Sequence, residues 1–178
     1  MSNDSNTRRN FMSNLISRGR AGLLATLVLA ASCVDITAPL QREGRPIALE
    51  FSIGGFFAAS RQLELRGDTV VERRHQAGWL PGGQVDSVRV VPSADAWRVF
   101  WDAANEAGVQ KWRPEYNAEQ VLDGEGWSIR VVGSGREINS WGSNAYPDRN
   151  GREHELDRPD EFQRFINALN ALVGVNWF

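Results

Sequence analysis

The chain has 178 residues, with 20 basic against 22 acidic side chains and a formal net charge of −2. It therefore lacks the basic excess that nucleic-acid phosphates demand, which argues against a nucleic-acid partner. Its length suits one compact domain plus some additional chain, and its one cysteine excludes a disulfide within the chain, so the fold must rest on its core.

The N-terminus is organised differently from the rest. Residues 1–20 are polar and cationic, with Arg8, Arg9, Arg18 and Arg20 against Asp4, and residues 21–32 (AGLLATLVLAAS) are apolar, uncharged and end in small side chains. That is the layout of an export signal. The apolar run falls short of the ~20 residues that a membrane-spanning helix needs. It leads directly into the only cysteine, Cys33.

Leu29-Ala30-Ala31-Ser32-Cys33 resembles the lipobox of bacterial lipoproteins, and no charge falls in the ten positions before the cysteine. The match departs from the usual pattern at Ala30, where Leu is preferred. The resemblance implies that residues 1–32 are removed and that Cys33 becomes the first residue of the mature chain, carrying acyl groups that hold it on a membrane. Two or more chains anchor stably, since each buried methylene contributes about 0.8 kcal/mol. Thr7-Arg8-Arg9-Asn10-Phe11-Met12 further resembles a twin-arginine export motif, an address read by a receptor. In Gram-negative lipoproteins an Asp directly after the cysteine marks inner-membrane retention. Val34 stands there and Asp35 follows one place later, so the resemblance favours the outer membrane. Residues 33–45 are then a lipidated tether with a reach of roughly 40 Å at about 3.3 Å per residue, and residues 46–178 one domain.

Within that domain, Ile47, Leu49, Phe51 and Ile53 alternate with Ala48, Glu50 and Ser52, which predicts a strand with one buried face. Leu63 and Leu65 alternate with polar neighbours, and Gly67-Asp68 turns the chain into Thr69-Val70-Val71, a hairpin. Residues 76–84 hold Gly78, Pro81, Gly82 and Gly83 and are expected as loop, with residues 87–91 a short strand. Ser93 is a natural N-cap, and Trp97, Phe100, Trp101 and Ala104 share one face of a helix over 93–107, ended by Gly108. After a loop containing Trp112, Pro114 and Tyr116, Trp127, Ile129 and Val131 alternate into a turn at Gly133-Ser134-Gly135, and 136–141 returns as the partner strand. A polar segment follows. Pro159, Asp160 and Glu161 then open a second helix whose stripe Phe162, Phe165, Ile166, Leu169, Leu172 and Val173 stops at Gly174. The expected fold is α+β: an antiparallel sheet of about five strands with two helices on one face.

The segment Asp123-Gly124-Glu125-Gly126-Trp127, with Ser140-Trp141-Gly142-Ser143-Asn144-Ala145-Tyr146-Pro147, resembles a family of uncharacterised bacterial exported proteins. The resemblance covers about residues 120–173, and it carries over neither an activity nor a catalytic residue.

Candidate sites follow from chemistry. The loop after Trp141 offers Ser143, Asn144 and Tyr146 as hydrogen-bonding groups beside an indole platform, although such residues also hold demanding turns. Trp79, in a Gly/Pro-rich loop, would anchor a partner if exposed. No G-x-S-x-G elbow surrounds Ser143, so no catalytic serine is assigned. His154-Glu155-Leu156-Asp157-Arg158 begins like a zinc motif but has Arg158 where the second histidine belongs, and Asp148–Arg152 offers a calcium loop an arginine where a ligand is needed. Neither a metal nor a cofactor is expected. These readings converge on a membrane-anchored envelope lipoprotein whose domain binds a protein or glycan partner without catalysis. The alternatives are a hydrolase using Asp123 or Glu125, and an inhibitor of a foreign hydrolase.

Overall fold

Alternating apolar residues form the first hairpins as expected, and pairing extends them into a large sheet. The computed structural model describes residues 44–55, 58–76, 85–119, 123–133 and 135–174, together with Leu40 and Val121. The chain divides into two units, Met1–Cys33 and Val34–Phe178, and the described residues all belong to the second. Cys33, Trp79 and the C-terminal Trp177-Phe178 lie outside the described residues.

Strands β1 (Ala48–Gly55), β2 (Ser60–Arg66), β3 (Thr69–His75) and β4 (Val85–Val90) run as an antiparallel meander. Helix α1 (Ala94–Glu106) follows, then β5 (Glu115–Asn117), β6 (Glu125–Gly133) and β7 (Arg136–Ser143). β6 returns to pair with β1, which gives the order β4-β3-β2-β1-β6-β7-β5. Two short strands, β8 (Ala145–Pro147) and β9 (Glu153–Glu155), pair with each other, and helix α2 (Asp160–Val173) closes the domain.

The sheet has seven strands rather than about five. One difference is β5, three residues within the loop around Trp112 and Pro114, which pairs parallel to β7 and is too short to show a period. The short strand expected at 87–91 is present as β4, which starts two residues earlier and forms the sheet edge with mostly exposed positions. β8 and β9 were likewise hidden in a polar segment.

Period-two geometry sorts the sheet into two faces. Leu49, Phe51, Ile53, Leu63, Val70, Trp127, Ile129 and Val131 point inward and join the buried residues of both helices in a single core. Phe165 of α2 meets Phe51 at a 6.3 Å ring separation and Phe100 of α1 at 6.1 Å. Trp112 stacks on Phe162 at 5.7 Å and packs edge-on against Trp127. Fully burying such side chains contributes roughly 1.5–3 kcal/mol each.

Both helices are delimited locally. Ser93 Oγ accepts from the Ala96 amide at 3.1 Å, and Asp95 sits in the positive first turn of α1. Gly108 ends the segment with φ +71°, and a Cβ there would collide with the Arg149 carbonyl, so only glycine fits. α2 opens behind Pro159 with Asp160 and Glu161 in its first turn and ends at Gly174 in the left-handed region.

Candidate functional site

The face of the sheet opposite the core carries the polar half of each strand pattern. In register across the strands stand Ser87, Arg73, Gln62, Ser52, Ser128, Trp141 and Glu115. Ser52 and Ser128 share a 2.7 Å hydrogen bond between their hydroxyls. In the next row Glu50 lies between Glu64 and Arg130. That like-charged juxtaposition is relieved by arginines: Arg130 reaches Glu50 at 2.9 Å and Glu137 at 2.7 Å, while Arg66 donates to Glu64 at 2.7 Å. The Arg66 hydrogen bond is the main cause of the lowered pKa of Glu64.

Trp141 lies on this face, 43% exposed. Across the strands it faces Ser128 and Glu115, and along β7 it is flanked by Asn139 and Ser143. Its surroundings are thus hydrogen-bonding groups rather than an apolar patch. Ser128 also lines a shallow depression of about 400 Å³, together with Ser52, Gln62, Glu64 and Arg73. Indole and depression therefore form one continuous surface. Of the residues singled out from sequence, the structure brings Trp141 and Ser143 together here.

Asn144 and Tyr146 sit elsewhere, and both are buried. Asn144 occupies the left-handed region at φ +52°. Its Oδ1 accepts from the Glu125 amide at 2.8 Å, and its own amide donates to the Glu125 carbonyl at 2.9 Å. A Cβ on Gly124 would collide with the Asn144 side chain, so this asparagine and this glycine form one turn-holding unit. The Tyr146 ring packs on Phe162 at 5.0 Å, and its hydroxyl donates to Glu125 Oε1 at 2.9 Å. Burial, and then the neighbouring Glu125 charge, push the Tyr146 phenol up to about 12. Arg158 pairs with the other Glu125 oxygen and lies 5.7 Å from the Tyr146 ring centroid. The Trp127 indole donates to the Ala145 carbonyl at 2.8 Å.

The residues considered for metals are engaged locally. Asp148 Oδ1 accepts from the amides of Asn150 at 2.7 Å and Arg152 at 2.9 Å. Burial raises the Asp148 pKa, but those bonds and His154 outweigh it and hold the carboxyl below its ordinary range. His154 Nε2 stands 3.6 Å from Asp148 Oδ2. Among the described residues, no group of three His, Cys, Asp or Glu side chains gathers in a form that could hold a metal ion.

Ser52, Gln62, Arg73 and Ser128 carry no signal of their own in the sequence, because they occupy ordinary outward positions of strands. Only the pairing of β1 with β2 and β6 assembles them beside one another. No protein-family model matches the chain, and no curated protein matches it.

Proposed function

We propose that the chain is an exported lipoprotein, held on the outer membrane through Cys33, whose domain binds an envelope glycan on the open face of its sheet. The lipobox-like segment and the short apolar run before Cys33 support the anchor. The observation that carries the glycan reading is Trp141, exposed among Ser128, Glu115, Asn139 and Ser143 beside the polar depression. A sugar ring offers an apolar face to an indole and hydroxyls to surrounding side chains. A protein partner would call for a contiguous apolar centre, and the groups around Trp141 do not supply one. Glu125, the carboxyl that a hydrolytic reading would use, is engaged by Tyr146 and Arg158, which favours binding over acid–base chemistry.

Co-sedimentation with purified peptidoglycan sacculi tests the glycan reading. The wild-type chain should pellet with the sacculi. Trp141→Ala should bind about tenfold more weakly or worse, with an unchanged unfolding midpoint. Equal pelleting of the variant, or no pelleting of the wild type, would refute the reading.

A further inference from the structure

The chain is docked on the domain before the first strand begins. Leu40 is buried; its amide donates to Asn105 Oδ1 at 2.6 Å, and its carbonyl accepts from Asn105 Nδ2 at 3.2 Å. Four residues on, the Gly44 carbonyl accepts from the Trp101 indole at 2.8 Å. Both partners belong to α1, so the chain is fixed to the domain as early as Leu40 rather than at residue 46. Only Val34–Pro39 separate Leu40 from Cys33, a reach of at most roughly 25 Å. A lipid on Cys33 therefore holds this side of the domain close to the bilayer.

The end of the sheet beside Gly44 is formed by the entry to β1, the β2–β3 turn at Gly67-Asp68, the β6–β7 turn between Gly133 and Arg136, and the exit from β4. Two aliphatic side chains stand open there. Ile47 is 80% exposed although its amide is held by the Val132 carbonyl at 2.7 Å, and Val91 is 62% exposed just past β4. Beside Val91, Arg66, Thr69, Val71, Arg89 and Val90 complete the lining of a shallow hollow of about 450 Å³. Arg66 is engaged by Glu64, and Glu50 and Glu137 by Arg130. Asp95 faces Arg98 at 3.5 Å, and Asp68 accepts from Thr69 Oγ1 at 3.0 Å. Arg45 and Arg89 are exposed and pair with no acid among the described residues. The end is thus cationic and carries two separate apolar points.

We propose that this end of the sheet is a membrane-docking surface, with Ile47 and Val91 entering the interfacial layer of an anionic bilayer while Arg45 and Arg89 meet its phosphate headgroups. The inference rests on the lipid anchor at Cys33, whose short connection brings this end to the bilayer. Ile47 and Val91 lie three strands apart, roughly 14 Å at ~4.8 Å per strand, with arginines around them. That spread suits a soft planar surface and not the single buried centre of a protein interface. The sheet then stands end-on, and Trp141, in mid-sheet on the open face, remains accessible to a glycan.

The mature lipidated protein in phospholipid vesicles tests this. An environment-sensitive fluorophore is placed at Asp68→Cys or, at the opposite end of the sheet, at Glu155→Cys, which matches it in charge. Headgroup-nitroxide lipid then reports proximity by quenching. In vesicles containing phosphatidylglycerol, quenching at position 68 should exceed that at 155 by about threefold or more. Adding Ile47→Ser, Arg45→Ala and Arg89→Ala should remove that difference with unchanged circular dichroism, since all three side chains are exposed. Vesicles of phosphatidylcholine alone should at least halve it. Protein that floats with the vesicles but is quenched equally at both positions would overturn the docking and leave the anchor standing, as would a difference indifferent to the triple variant and to lipid charge. Protein that does not float with the vesicles would overturn both.

Discussion

The Tyr146 hydroxyl donates to Glu125 Oε1 at 2.9 Å, tying β8 to the first residue of β6. The same carboxylate takes Arg158, the residue two places before α2 begins. One carboxyl thus ties β6, the small β8–β9 sheet and the approach to α2 together. The loop that looked from sequence like a ligand surface is, at this point, a joint of the fold.

That joint makes stability depend on alkaline pH. The Tyr146 phenol has its pKa raised to about 12 in the folded state, against an unfolded value near 10. Its contribution is fully present below pH ~10 and is lost as pH rises from there through about 12, because the unfolded chain ionises first. Urea unfolding of wild type and Tyr146→Phe checks this. At about pH 8 the variant should be less stable by ~1 kcal/mol, the worth of the hydrogen bond. The difference should shrink and then reverse as pH approaches the top of that window, and a constant difference would contradict the assignment.

Asn144 and Gly124 should prove coupled. Asn144→Ala loses the bond to the Glu125 amide and places an alanine at φ +52°, and should cost about 2–3 kcal/mol. Asn144→Gly tolerates the backbone and should cost only ~1 kcal/mol. Gly124→Ala should be strongly destabilising with Asn144 present and milder in an Asn144→Gly background. Chemical denaturation of the single and double variants gives the comparison; simple additivity would disprove the coupling.

Glu72 and Glu64 provide a matched pair of carboxylates in different surroundings. Glu72→Gln leaves the buried Arg61 guanidinium without its counter-charge and should cost about 3 kcal/mol. Glu64→Gln breaks exposed pairs with Arg66 and Arg73 and should change stability by less than about 1 kcal/mol. Equal effects in urea unfolding would mean that the Arg61–Glu72–Arg74 network is more solvated than its burial implies.

Helices α1 and α2 could be read from the chain because a wide apolar stripe and local caps at Ser93 and Pro159 act over a few residues. The β2–β3 and β6–β7 hairpins were readable for the same reason: turn and alternation lie side by side. β5 could not be read, because three residues carry no period and its pairing with β7 is set by distant chain. The inward Arg61 and Glu72 were equally opaque. They fall in phase with Leu63 and Val70, but a charged residue in a strand ordinarily marks the solvated face. At the candidate site, Trp141 was visible as a platform, yet whether it or Tyr146 faced solvent depended on the register of β7 against β6. Ser52, Gln62 and Arg73 needed the whole sheet to become a surface.

Everything proposed for that surface presupposes that the chain is held on a membrane by Cys33. The most direct measurement is fractionation of cells expressing the full chain and its Cys33→Ala variant, with mass spectrometry of the mature N-terminus. The account predicts that the wild type pellets with membranes and begins at an acylated Cys33, whereas the variant no longer remains with membranes after a carbonate wash. A variant that stays in the washed membranes, or a wild type whose Cys33 carries no lipid, would contradict it.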